Sequence, residues 1–531
     1  MRDNASCSFF YRTIREDGIG LSNANQIEFK YDSQVDSTAE AEPIAAVSTA
    51  VGDAAIAIVR ISGAAAFTVA DKIFRIGNEK PNRLTLPRSV TIQESHTVQH
   101  GFIVDDVPAE YPSSQGIAVT GVSEQPDKEN QSPNKIDEVL LIKMEAPRTY
   151  TRENTVEIHC HGGSVIVSEV LRCVIAAGAR PAEPGEFTKR AFLNGRMDLV
   201  EAEAVMDVIQ SHTKSSAKAA FEQLNGRLSV QIKKMRENLI MLIGQMEVNL
   251  DYPEFDAEEV TLQSAEKVLF EVLQQMDALL AQYQHGRILR EGFNLVIAGK
   301  PNAGKSTLMN RLAGQEKSIV TDIPGTTRDI VEAYISLKGL PVRLYDTAGI
   351  RETQDVIEKI GVDKTVGAME QAEMIAAVFD GASMPTAEDG QLVQQLKKIG
   401  GPVLYIINKT DNGHPDIEEA LTKLFPKKPV SVSALVGTGM EFLIDEIVES
   451  ATGARYIKDQ EVILTNARHK KLLDIAKVNI EEAIRACETG MTHDVLSFLV
   501  REAWENLGGI VGEGATEDLL NHIFSRFCLG K

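Results

Sequence analysis

Gly299-Lys300-Pro301-Asn302-Ala303-Gly304-Lys305-Ser306 reads G-x-x-x-x-G-K-[ST], a spacing at which backbone N–H groups can cradle phosphates. A helix start behind it adds the positive end of its dipole. Lys305 can reach the β- and γ-phosphates, and the Ser306 hydroxyl can ligate magnesium. The apolar strand pattern of Phe293 to Ala298 precedes the motif and a helical pattern at Thr307 to Leu312 follows it. A chance glycine-rich turn would not explain three further motifs in order. Asp346-Thr347-Ala348-Gly349 follows the strand Val342 to Tyr345, so Asp346 can hold magnesium through water while the Gly349 N–H faces the γ-phosphate. Asn408-Lys409-Thr410-Asp411 ends the strand Val403 to Ile407, and the Asp411 carboxylate can accept both the N1–H and the 2-amino protons of guanine. Adenine offers no such pair, so the expected nucleotide is GTP. Ser433-Ala434-Leu435, after Val430 to Val432, suits a loop whose backbone N–H meets the guanine carbonyl.

A gap is equally informative. The position after Gly349, where Ras-like enzymes place a water-orienting glutamine, is Ile350. Upstream lies Thr321-Asp322-Ile323-Pro324-Gly325-Thr326-Thr327-Arg328-Asp329, a switch-like loop in which Thr327 is the natural second magnesium ligand. Arg328 is either an arginine finger or one half of a local ion pair.

These motifs need elements to hold them, and 531 residues are enough for several cores. Composition is that of a soluble globular chain, with 43% hydrophobic and 25% charged residues and no apolar run long enough to span a bilayer. The net charge of -21 repels a phosphate backbone on average, so contact with nucleic acid has to be local. Five cysteines without a Cys-x-x-Cys pair argue against a disulfide framework or zinc knuckle and suit a reducing compartment. Residues 1–43 carry eight acids against four bases and no apolar block, unlike a secretory signal or an organellar transit peptide. Strands are expected at Ala55 to Ile61, Thr97 to Val104 and Glu138 to Lys143. The Pro-, Ser- and Gln-rich stretch 105–135 between the last two reads as a disordered insertion.

Beyond Gly195 the apolar period turns helical. Leu224, Leu228, Ile232, Met235, Leu239, Leu242, Met246 and Leu250 form one stripe on a helix stopping near Pro253. Leu262, Leu269, Leu273, Met276, Leu280 and Tyr283 form a second. Alternating strands and helices run from Gly292 to about Glu449, and helices return with Leu472, Ile475, Asn479 and Ala483, then Val495, Leu499 and Trp504. The pattern implies a P-loop α/β unit inserted into a helical one.

Further motifs lie outside the nucleotide site: Val59-Arg60-Ile61-Ser62-Gly63, Tyr150-Thr151-Arg152-Glu153, His161-Gly162-Gly163, Pro184 through Arg196, and the terminal Phe527-Cys528-Leu529-Gly530-Lys531. With the GTPase motifs they resemble the tRNA modification GTPase family called MnmE or TrmE, from about Ile44 to Lys531. The resemblance implies an α/β N-terminal domain at 44–160 that dimerises and binds a tetrahydrofolate. It also implies a helical domain at 161–290 and 451–531, a Ras-like G domain at 291–450, and a variable extension at 1–43. It implies a potassium ion in place of an arginine finger, held by Asn302 and by Thr321, Ile323 and Thr326, with Glu358 organising the attacking water. Folate contacts map to Arg60, Glu157 and Arg196, a sensible set because guanidinium groups pair with folate carboxylates and a carboxylate with the pterin amino edge. Cys528 matches the family's terminal cysteine, placed near the one-carbon chemistry; the alternative is a buried, inert thiol. His159-x-His161 has strand-like ligand spacing, but without a third ligand a structural role is the better reading.

The implied function is a potassium-dependent GTPase that works with an FAD-containing, MnmG-like partner, in a heterotetramer, on the 5 position of the wobble uridine of tRNA. No membrane partner is implied. An RNA-binding regulatory GTPase of ribosome assembly is the alternative, and a folate-binding module with a vestigial GTPase is disfavoured by the intact motifs. Likeness of segments 149–161 and 347–361 to plastid and cyanobacterial-like members points to an organelle, with the cytoplasm as the alternative.

Overall fold

The computed structural model describes residues 42–50, 52, 54–76, 89–105, 134–251, 262–314, 333–346, 372–399, 401–453 and 462–531. The extension, most of the insertion, and the positions Thr321 to Arg328, Thr347 to Ile350 and Glu358 lie outside them.

The first unit holds β1 (Ile44–Val47), β2 (Ala54–Ser62), α1 (Ala66–Ile73), β3 (Phe74–Ile76), β4 (Thr97–Val104), β5 (Lys135–Met144), β6 (Thr155–Gly162), α2 (Ser164–Ala176) and β7 (Arg180–Pro181). The sheet runs β3-β4-β5-β6-β2-β1-β7, antiparallel throughout except for β7 beside β1. Strand alternation sends Val59, Ile61, Val139, Leu141, Val156 and Ile158 into one core with α1 and α2. It turns Arg60 and Glu157, opposite each other in register, to the other face. A division at 160 cuts through β6, and the sheet is completed only by β7, because the edge strand returns after α2.

α3 (Glu186–Leu193), α4 (Leu199–Ile209), α5 (Lys214–Leu224), α6 (Arg227–Asp251), α7 (Leu262–Ala281) and α8 (Tyr283–Glu291) follow. The long stripe expected as one helix is two. Leu224 ends α5, and Gly226, at φ +77, turns the chain into α6, because only glycine takes that conformation without strain. Tyr283 likewise begins α8 rather than extending α7. The inserted unit contains β8 (Phe293–Gly299), α9 (Lys305–Ala313), β9 (Ala333–Leu337), β10 (Leu340–Asp346), β11 (Met374–Asp380), α10 (Ala387–Ile399), β12 (Val403–Asn408), α11 (Pro415–Thr422), β13 (Val430–Ser431) and α12 (Met440–Thr452). Its sheet runs β13-β12-β11-β8-β10-β9, parallel except for β9, and apolar cores lie on both faces, which explains why these strands read as continuous apolar runs.

α13 (Ala467–Glu488) and α14 (His493–Val511) return to pack on α6 and α7, and α15 (Glu517–Phe524) packs on α4. The core stripe of α13 is Leu473, Ala476, Ile480 and Ala483; Ala483 lies inside as expected, the other three stand one position after the expected Leu472, Ile475 and Asn479, and Ile475 is exposed. On α14, Leu496 and Val500 face inward while Val495 is exposed, with Leu499 and Trp504 half-buried. Both helices also carry apolar residues on their outer faces, so apolar spacing alone fits two registers.

Candidate nucleotide site and a second polar cluster

The parallel strands β8, β10, β11 and β12 end on one edge, where ligands of open α/β sheets bind. The Gly299–Ser306 loop leaves β8 there. Gly299 approaches β11 so closely that a Cβ would lie 2.4 Å from the Val378 carbonyl oxygen. Gly304 has φ +91, and its added Cβ would meet the Asn408 amide at 2.3 Å. Both glycines are therefore required by contact as well as by torsion.

Asn408, buried at the end of β12, is the brace of the site. Its Nδ2 donates to the Ala303 carbonyl at 3.0 Å, and its Oδ1 accepts from the Ala434 N–H at 3.0 Å. One side chain thus joins the phosphate loop to the Ser433-Ala434-Leu435 loop. Ser433 Oγ donates to Asp411 Oδ1 at 2.5 Å and accepts from the Val436 N–H at 3.1 Å, so the exposed Asp411 carboxylate is tethered to that loop. Lys409, at φ +64, reaches Asp380 at 2.7 Å, and Thr410 N–H bonds the Val432 carbonyl. Lys305 is buried and its ammonium donates to the Gly299 and Lys300 carbonyls at 3.0 and 2.9 Å. Asn302, at φ +65, Ser306 and Thr307 are exposed, the last two in the first turn of α9, where helix N–H groups are free to meet an anion. Asp346 closes β10 in register with Ile297 of β8.

The sheet face of the first unit carries a different constellation. Arg60 Nε donates to Glu157 at 2.9 Å, with the second guanidinium nitrogen 2.8 Å from the same oxygen. Tyr150 lies under Arg60 (5.5 Å) and Arg196 (4.9 Å), and Arg196 is tied to the Thr149 carbonyl at 2.9 Å. Burial raises the Tyr150 phenol above its usual range, against the hydrogen bond with Thr188 and the two guanidinium groups, so it stays protonated. The structure therefore brings all three candidate folate residues together, with Tyr150 as the shared surface that spacing could not reveal.

The chain terminus joins them. Gly530 O accepts from Ser48 Oγ at 3.1 Å and from Arg60 at 3.4 Å, and the Lys531 ammonium is depressed by burial and by Arg60. Cys528 is exposed, which overturns the buried-thiol alternative; Cys160, Cys173 and Cys487 are the buried thiols among the described residues, all raised by burial, the first two to about 11. His161 bonds Asp137 at 2.7 Å, whereas His159 Nε2, 3.6 Å from Glu157, is buried without a hydrogen-bond partner, so the two histidines share no partner. Among the described residues no helix is long and apolar enough to cross a membrane.

Known proteins place this architecture. Residues 43–196 match the pattern described as GTP-binding protein TrmE N-terminus, and residues 199–528 that of the MnmE helical domain. A tRNA modification GTPase MnmE from Acetivibrio thermocellus is 43% identical over 92% of this chain and 99% of its own length. The one from Bacillus subtilis is 40% identical over 92% and 100%. The solved structure of an Aquifex aeolicus Era variant bound to GDP·AlF4− covers 35% of this chain and 66% of that one at 26% identity and a TM-score of 0.26, and adds nothing to the assignment. Matched along nearly its whole length, the chain belongs to the MnmE (TrmE) family of tRNA modification GTPases.

Proposed function

We propose that the chain hydrolyses GTP in the modification of the tRNA wobble uridine at its 5 position, as a homodimer assisted by an FAD-containing, MnmG-like partner and a folate one-carbon unit. The observation that carries the nucleotide half is the Asn408 brace, which sets the phosphate loop and the Asp411 carboxylate at one fixed separation. GTP would lie along that edge with its phosphates on the loop from Asn302 to Thr307 and its base between Asn408-Lys409-Thr410-Asp411 and Ser433-Ala434-Leu435. Ser306 and Thr327 would hold magnesium, with Asp346 acting through water. Asn302 with Thr321, Ile323 and Thr326 would hold potassium, whose charge replaces that of an arginine finger, and Glu358 would orient the water. The exposed Asn302 and Ser306 suit this; the other groups stand on the sequence.

The Arg60 cluster suits a folate. Its paired Arg60 and Glu157 side chains retain 15% and 17% of their exposure, so acidic and amino groups of a ligand could exchange into an existing ion pair without uncovering a lone buried charge. The one-carbon unit comes from the folate; this chain's part is to bind and orient it through Arg60, Glu157 and Arg196, with Cys528 nearby. The units read as a folate-binding N-terminal domain, a helical domain and an inserted G domain. Hydrolysis measured with saturating GTP and magnesium should be fast in potassium and slow in sodium at equal ionic strength. Equal rates would remove potassium and make Arg328 the residue to test.

A further inference from the structure

Where the inserted unit is rooted, five ionisable side chains meet. Glu203 and Asp207 sit one turn apart on α4 and so share a face, which by itself sets two carboxylates against each other. Arg468 grips Glu203 with both nitrogens at 3.0 Å, and His469 Nε2 lies 2.6 Å from the same carboxylate. Arg290, next to last in α8, bonds Asp207 at 2.8 Å. The Glu203, Asp207 and His469 side chains keep 8%, 10% and 1% of their exposure. Burial would raise Glu203, but His469 and Arg468 hold it below the usual carboxylate range, whereas burial keeps Asp207 raised despite Arg290. A buried pair of this kind adds little stability over an apolar contact, yet it fixes geometry.

What it fixes is the route between the two sites. Arg290 is followed by Gly292 and β8, the strand that ends at the phosphate loop. Asp207 lies near the far end of α4, a rod about 16 Å long. The near end begins at the Asp198 cap, two residues after Arg196. A second path leaves the same cluster: Arg468 also holds the Gly509 and Ile510 carbonyls at the end of α14, and Phe524 and Phe527 pack on Leu199, Ala202 and Met206 of α4 before the tail reaches Arg60. Ser211, Ser216 and Thr465, with Ala219, Ala220 and Leu289, line a small cleft beside Asp207 and Arg290.

We propose that the Asp207–Arg290 contact is a positioning joint that links nucleotide state to the Arg60 cluster by fixing β8 to the helix that leads to Arg196. The inference rests on the proposed GTPase function. It is tested on the full chain by the labelling rate of the exposed Cys528 thiol, in a Cys7→Ser background, with GDP and with a non-hydrolysable GTP analogue. The unmutated protein should show rates about 5-fold or more apart, the lower end of common allosteric couplings. Arg290→Gln and Asp207→Asn should each bring the difference below about 2-fold while nucleotide affinity holds; each lowers the melting temperature because it strips a buried group of its partner, so rates are compared well below it. The double variant should add nothing further to the lost nucleotide dependence because both lose one shared contact. Arg290→Lys, which keeps the charge, should recover part of the difference. The joint is overturned if both neutral variants keep the nucleotide dependence, or if the unmutated protein binds GTP and shows none. A protein that binds no GTP would sink the function reading, and the joint with it.

Discussion

The nucleotide edge and the Arg60 cluster are built in opposite ways. At the first, the backbone sets the shape: Gly299 and Gly304 clear space for the loop, and a single buried side chain, Asn408, sets the spacing. At the second, side chains do. Arg60 comes from β2, Glu157 from β6, Tyr150 and Arg196 from two loops, and Gly530 from the chain terminus, 470 positions from Arg60. A backbone cradle needs particular residue types at fixed local spacing, whereas a side-chain cluster needs only that the fold deliver charges to one place. The first should fail through sterics and all at once, and the second by increments.

Gly304→Ala tests the first half and should have the largest effect. The new methyl group would sit 2.3 Å from the Asn408 amide in a backbone conformation that alanine rarely adopts, so either the loop or the brace must move. Loss of both costs about 3 kcal/mol, a drop in GTP affinity of roughly 100-fold or more, with little change in tetrahydrofolate binding. Calorimetry showing GTP affinity within a few-fold of the unmutated protein would break the comparison.

Arg60→Ala tests the second half and should cost less. It removes one charge-assisted partner, worth about 1.5–3 kcal/mol, and should weaken tetrahydrofolate binding while hydrolysis of GTP proceeds at its former rate. Gly530→Ala should weaken it less again. A Cβ there would come 2.2 Å from the Val47 carbonyl and lift the tail from β1, removing a partner of Arg60 without removing Arg60 itself. Equal losses in GTP and folate binding in either variant would mean that the two sites are not separate.

The same contrast decides what could be read from the chain beforehand. Every strand leading to a nucleotide motif was legible, because glycine and polar residues punctuate apolar runs at fixed distances. Leu224 and Ile475 were misplaced because apolar spacing cannot see a one-residue turn at Gly226 or choose between two apolar registers of α13. Arg60, Glu157 and Arg196 were placed by family likeness alone, since nothing local marks a charge as half of a cross-strand pair. Nothing in the sequence marks Glu203, Asp207, Arg290, Arg468 and His469 as a group. Each is an ordinary polar residue on an amphipathic helix until three helices bring Asp207 to Arg290 and Glu203 to Arg468 and His469.

His212 offers the finest test, because it joins the helical unit to the inserted one. It precedes α5, its ring stacks on Tyr334 of β9 at 4.1 Å and 22°, and Arg343 of β10 stands 5.5 Å from the same tyrosine ring. At neutral pH the stack is worth about 0.5–1.5 kcal/mol, so His212→Gln should lower stability only slightly. Acid should separate the two proteins further. Burial, and then the Arg343 charge, depress the His212 imidazole below its ordinary value, so the unfolded chain takes up the proton first. Stability is then full above the unfolded value near 6.5 and falls as the pH drops below it, since protonation would set a second cation beside Arg343. The glutamine variant has no such group, so its urea midpoint should fall less between about pH 7 and 5.5 than that of the unmutated protein. The difference between the two proteins isolates His212 from His285 and His469, which burial depresses in the same direction in both. Parallel pH curves would show that the stack carries no proton linkage.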